Sequence, residues 1–175
     1  MNPQVKLPQV QPPPARRLML VRHAKAALND GSMPDFDRPL SEKGKDDSDA
    51  MAGILRDTGL EVEYFLSSPA KRAFSTAKSF ADAFGAQSIA IDERIYEAFP
   101  KTLIKIIHSL PDKFHSVMIV GHNPALTELA YELCPEIDSE MPTCAVACVD
   151  FDSHSWDNIK VSSGKLTFMI SSKAL

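Results

Sequence analysis

Leu18-Met19-Leu20-Val21-Arg22-His23-Ala24-Lys25 is the stretch on which the fold turns. A short apolar run stops abruptly at Arg-His and gives way to small and basic residues. It reads as a buried strand that delivers a guanidinium and an imidazole to its carboxyl end. In open α/β sheets, ligands bind in the crevice beyond that end. Val117-Met118-Ile119-Val120-Gly121-His122-Asn123-Pro124 repeats the construction: apolar strand, glycine, histidine, helix start. Two strands that each end in histidine predict a site with two imidazoles and at least one guanidinium. Such a site suits an anion, and phosphate above all.

Outward from these two strands, strand and helix signals alternate. Strands are expected at Leu18–Val21, Tyr64–Leu66, Ile89–Ile91 and Val117–Val120, with a late pair at Cys144–Phe151 and Leu166–Ile170. Helices are expected from Ser41 to Thr58, from Ser68 to Phe84, from Thr102 to Leu110, and from Asn123 to Leu133. Ser41, Ser68 and Asn123 are capping residue types, and Pro69 and Pro124 suit a first helical turn. Alternation of this kind predicts an α/β fold, a three-layer α/β/α sandwich around a mostly parallel sheet. The two last strands lie close enough in sequence to form an antiparallel pair.

The chain has 175 residues and 44% hydrophobic content, enough for one ordinary core, here assigned to residues 16–175. Residues 1–15 carry Pro3, Pro8 and Pro12-Pro13-Pro14, and are expected to be a disordered, proline-rich arm. A net charge of -4 and a pI near 5.7 argue against a nucleic-acid binder. No apolar run approaches the length of a membrane span, and no signal-peptide core is present, so no membrane association and a cytoplasmic location are expected. Three cysteines, an odd number, read as free thiols in a reducing compartment, with Cys144 and Cys148 as buried packing residues. His108, His115 and His154 have no partner at metal-ligand spacing and read as surface residues. Neither a metal nor a cofactor is expected.

Ser67-Ser68-Pro69-Ala70-Lys71-Arg72 adds a third piece. A helix N-terminus attracts anions, and its dipole disfavours a cation there. An arginine in that first turn makes sense when an anionic ligand offsets both.

Together, Arg22-His23, Ser68-Pro69-x-x-Arg72 and Gly121-His122 resemble the histidine phosphatase superfamily, also called phosphoglycerate-mutase-like, and within it the small SixA-type phosphohistidine phosphatases. Leu40-Ser41-Glu42-Lys43-Gly44 is similar to the segment that follows the first motif in that family. The resemblance runs from about Arg17 to Ile170. It implies a phosphoglycerate-mutase-like fold and a phosphatase that works without a cofactor. His23 would be the nucleophile that forms a phosphohistidine intermediate, with Arg22, Arg72 and His122 around the phosphoryl group. Phosphoryl transfer depends mainly on positioning and charge stabilisation, which guanidiniums supply without losing their charge. His23 must keep its attacking nitrogen unprotonated, so its other nitrogen needs an acceptor such as a backbone carbonyl. His122 is expected to be the protonated member of the pair.

Two departures from the family pattern stand out. Ala24 replaces the glycine of the commonest Arg-His-Gly motif, and any need for positive φ there would be strained. Arg94-Ile95-Tyr96-Glu97 fits the pattern that supplies a proton donor in ester-cleaving members, which makes Glu97 the candidate general acid; the other reading is a rim carboxylate. The segments available for a lid, Asn29–Arg38 and Ala98–Lys101, are short. A shallow pocket suits phosphohistidine, or another phosphorylated residue, on a protein partner. The alternatives are a small-molecule phosphomonoesterase of the same superfamily and a non-catalytic phosphate-binding docking module.

Overall fold

The structure is a computed structural model and describes residues 14–174. All but the last two residues of the proline-rich arm lie outside the described residues. Six strands form one sheet: β1 (Arg16–Arg22), β2 (Tyr64–Ser67), β3 (Ala90–Ile91), β4 (Ser116–Gly121), β5 (Val146–Phe151) and β6 (Lys165–Ile170). Their order is β3-β2-β4-β1-β5-β6. The first four are parallel, β5 runs antiparallel to β1, and β6 antiparallel to β5. The sheet is therefore mostly parallel with an antiparallel edge, as the sequence predicts.

Helices α1 (Glu42–Asp57) and α2 (Lys71–Ala83) cover one face, and α3 (Pro100–His108) and α4 (Ala125–Leu133) the other. The central strands show why the apolar runs are unbroken. Leu18 and Leu20 pack under α3 and α4, whereas Met19 and Val21 pack under α1 and α2, all four fully buried. β4 divides in the same way, with Val117 and Ile119 on one side and Met118 and Val120 on the other. A strand buried on both faces needs apolar residues at every position. Among the described residues, no helix is long and apolar enough to cross a membrane.

β1 and β4 are neighbours in register, Arg22 opposite Gly121, so His23 and His122 leave the sheet side by side. The chain then turns to α1 on one face after β1, and to α4 on the opposite face after β4. This divergence opens a crevice between the two strand ends, where α/β sheets place their ligands.

Two local features hold the first of these loops. Ser41 caps α1 by accepting from the Gly44 N–H at 3.0 Å, and its own N–H and hydroxyl both donate to Lys25 O. A Cβ on Gly44 would stand 2.0 Å from Lys25 O, so this close approach of helix to loop requires glycine. The start of α2 differs from expectation. It begins at Lys71: Ala70 is still extended (φ -57, ψ 134), and Ser68 Oγ accepts from the Ala70 N–H, at 3.2 Å, outside the helix. Likewise α4 has no side-chain cap, and Asn123 Oδ1 instead accepts from the Thr127 hydroxyl at 3.0 Å. The late strand is shorter than expected: Cys144 has φ 58 and precedes it. Cys134, Cys144 and Cys148 are all free and buried. Burial pushes the Cys144 and Cys148 thiols up to about 12, which keeps both protonated.

Candidate active site

His23 follows the last residue of β1, and its N–H donates to Gly121 O at 3.0 Å, which continues the parallel pairing. Its Nδ1 lies 2.7 Å from Ala24 O. A carbonyl only accepts, so Nδ1 carries the proton and Nε2 keeps a free electron pair. That pair faces Arg72 Nε, which donates to it at 3.3 Å. Ala24 takes part through its backbone alone: its N–H donates to Thr76 Oγ1 at 3.0 Å, and Thr76 donates to Arg72 O at 2.8 Å. Ala24 is not among the residues with positive φ. Alanine therefore serves in this position without strain.

His122 lies across the crevice, its ring centroid 5.1 Å from that of His23. Its Nε2 is 2.8 Å from Ser68 Oγ, and Nδ1 is buried without a partner among the described residues. Tyr96 meets the His122 ring edge-on at 5.6 Å. Ser68, read from sequence as a helix cap, thus shares its hydroxyl between the Ala70 N–H and this histidine.

Arg22 reaches Met141 O at 2.8 Å, and Asn123 Nδ2 donates to the same carbonyl at 3.0 Å. Arg22 Nε is buried with no partner among the described residues. Arg72, the second residue of α2, is 7% exposed in its side chain. Beyond His23 it grips the 29–38 loop, donating through Nη1 to Asp35 O at 2.7 Å and through Nη2 to Asp35 Oδ2 at 2.9 Å. Arg38 donates to the other carboxylate oxygen at 2.7 and 3.1 Å, and the Tyr96 hydroxyl to Oδ2 at 3.2 Å. His23, His122, Arg22 and Arg72 are thus gathered in one crevice. Glu97 is not among their partners: it is an exposed turn residue without a hydrogen bond to any of them. The side chain of its segment that does enter is Tyr96; the carboxylate on Arg72 is that of Asp35, and Glu140 Oε1 lies 3.4 Å from Arg22 Nη1. None of these was singled out from the sequence. Lys25 is exposed beside the site and points no contact at it.

Burial, with the positive charges of Arg72, Arg22 and Arg38, lowers His23 from 6.5 to about 4. Burial, then the charges of His23 and Arg72, lowers His122 to about 3. The expected split into one neutral and one charged imidazole is therefore not what the environment dictates. Both rings are neutral near pH 7, because each sits among cations in a partly dry crevice. Both groups titrate well below their unfolded value. As pH falls through 6.5, the unfolded chain takes up protons that the folded chain refuses until about 4. Stability should be level above that window and fall within it. Histidine NMR should show the His23 and His122 ring protons unmoved from about pH 7 to about pH 5, and the thermal midpoint should drop over the same range. Titration of either ring near pH 6.5 would contradict this electrostatic description.

Residues 18–115 match the family model of the Histidine phosphatase superfamily (branch 1). The chain belongs to that superfamily. It is 32% identical over 142 residues to the phosphohistidine phosphatase SixA of Escherichia coli, covering 78% of this chain and 86% of that one. A chloroplastic protein of Arabidopsis thaliana is 31% identical over 163 residues, covering 86% and 73%. Among solved structures, the protein histidine phosphatase SixA complexed with tungstate superposes with a TM-score of 0.76 at 26% identity, covering 90% of this chain and 97% of that one. The phosphoglycerate-mutase-like fold and the SixA-like character expected from the four motifs are both found.

Proposed function

We propose that this chain is a phosphatase that works through phospho-His23 and removes phosphate from phosphohistidine on a protein partner. The observation that carries the reading is the Nδ1–H bond from His23 to Ala24 O at 2.7 Å, which holds Nε2 unprotonated and aimed along the crevice. In the first step the Nε2 electron pair attacks phosphorus, and the bond from phosphorus to the leaving imidazole nitrogen breaks. That nitrogen keeps the electron pair and takes up a proton from solvent water. In the second step a water oxygen attacks phosphorus, the Nε2–P bond breaks, and inorganic phosphate leaves with the water's proton redistributed onto it. Arg22 and Arg72 supply fixed positive charge for the phosphoryl oxygens. A phosphate dianion between the two rings would also offset the cations that depress His122, and so favour its protonation as a donor.

The surroundings suit a protein substrate. Phe36, stacked edge-on against Tyr96 at 5.1 Å, is partly exposed, as is Met33 in the same loop. Phe99, three residues beyond Tyr96, is 74% exposed. Phe36 thus leaves an apolar ring in water one aromatic contact away from the ring that meets His122, which suits contact with a protein more than with a small polar ester. Purified protein should therefore dephosphorylate a phosphohistidine protein faster than p-nitrophenyl phosphate, in the presence of EDTA. Stoichiometric binding without turnover would instead point to the docking module, and loss on chelation would remove the metal-free mechanism.

The ester reading rests on Glu97. An alkoxide leaving group needs a proton in the transition state, and a positioned acid contributes about 10²–10⁴-fold. The imidazole of phosphohistidine is protonated readily near neutral pH. With Glu97 exposed and without a hydrogen bond to the four basic residues, Glu97→Gln should change phosphohistidine turnover less than about twofold. A large loss on both substrates would give Glu97 a role in the site.

A further inference from the structure

Of the carboxylates that this mechanism leaves unused, Asp35 alone among the described residues touches Arg72. Asp35 takes two of the three N–H edges of that guanidinium, one with its backbone carbonyl at 2.7 Å and one with Oδ2 at 2.9 Å. The third edge, Nε, points at the His23 nucleophile. A carboxylate and a phosphate compete for a guanidinium on the same terms, since both are oxyanions recognised by its planar fork of donors. Arg38 and Tyr96 hold the carboxylate where it is, so its place is built rather than incidental.

We infer that Asp35 sets how tightly the site holds phosphate, acting as an internal anion that competes for Arg72 and so promotes release of the product. This rests on the phosphatase reading of the site. The logic is that of turnover: a site with several cations and no anion would bind inorganic phosphate strongly and release it slowly. The carboxylate stays ionised throughout the working range, because the Arg38 hydrogen bonds and the Arg72 charge hold it near 2. A phosphoryl group must share Arg72 with it or displace it, and after hydrolysis the carboxylate reclaims the Nη2 donor. Asp35 is a positioning residue by this account, acting through Arg72 and leaving the reacting atoms to His23.

The test is calorimetric titration of the intact chain with tungstate and with inorganic phosphate. Asp35→Asn removes the charge and keeps the shape, and should tighten both anions about tenfold, the scale of one partly screened charge at close range. The inhibition constant for phosphate during turnover should fall by the same factor. Asp35→Ala, measured beside it, should shift in the same direction, so that a loop defect peculiar to one variant does not decide the answer. Asp35→Glu keeps the charge and should show no tightening. A purely structural role predicts weaker binding in every variant, so a gain in affinity is diagnostic. Equal or weaker binding in both Asp35→Asn and Asp35→Ala, with wild type binding normally, overturns the inference alone. A wild type that binds neither anion overturns the phosphatase reading and takes the inference with it.

Discussion

His23→Ala should abolish turnover, by on the order of 10⁴-fold or more, while leaving the fold intact. The two halves of this expectation have separate causes. Covalent catalysis has no substitute once the Nε2 electron pair is gone, because Arg72 and Arg22 cannot form the intermediate. The fold does not depend on the ring: Leu18 to Val21 bury the strand, and the pairing of the His23 N–H with Gly121 O belongs to the backbone. The ring is only half-buried, and its loss frees the Ala24 carbonyl and Arg72 Nε to water or to other donors and acceptors. Wild type given labelled substrate should yield a trapped phosphoenzyme that is labile in acid and persistent in alkali, as a phosphoramidate is. The variant should trap none. An adduct stable in acid and labile in alkali would remove His23 from the mechanism, since it would report an acyl phosphate or ester elsewhere. Retained turnover in His23→Ala with an unchanged melting curve would do the same.

What the sequence reveals of this molecule follows from which forces leave a pattern. The buried strands are legible because two-sided burial demands unbroken apolar runs in their centres, residues 18–21 of β1 and 117–120 of β4, and the histidines that follow are legible because they come just after those runs. Arg72 is legible because a cation in a first helical turn opposes the dipole. Asp35 leaves no such trace. It reaches Arg72 across 37 residues of sequence from a loop with no periodicity, where an aspartate is an ordinary solvated residue. The proton donor pattern points to Glu97, but the turn after Ile95 brings Tyr96 against His122 and leaves Glu97 exposed, with no hydrogen bond to the four basic residues. Ser68 misled for a related reason. Capping propensity is local, whereas its hydroxyl is shared with a histidine 54 residues away. The charge state of His122 was beyond reach for the same cause: it depends on burial and on the neighbouring cations, which only the folded arrangement brings together.

Arg72→Ala should lower kcat/KM for phosphohistidine by roughly 2–4 kcal/mol, that is by about 30- to 1000-fold, the range found when a donor to a developing oxyanion is removed. The loss should fall on catalysis rather than on stability. Arg72 opens α2, where a cation is disfavoured, so an alanine there does not weaken the helix. Its partner is not stranded either, because Asp35 keeps both bonds from Arg38 and the Tyr96 hydroxyl, and its side chain is 42% exposed. Arg72→Lys should recover only part of the rate, since an ammonium restores charge without the fork that reaches Asp35 and His23 at once. Tungstate affinity should fall in Arg72→Ala, opposite in sign to the change expected in Asp35→Asn. The two sites should also be coupled. With the guanidinium gone, the carboxylate has less to compete for, so adding Asp35→Asn to Arg72→Ala should tighten tungstate by a smaller factor than it does alone. Full additivity would mean that Asp35 acts on the anion by charge alone and not through Arg72. A near-wild-type rate in Arg72→Ala would place this arginine outside the chemistry, leaving Arg22 and the imidazoles to hold the phosphoryl group.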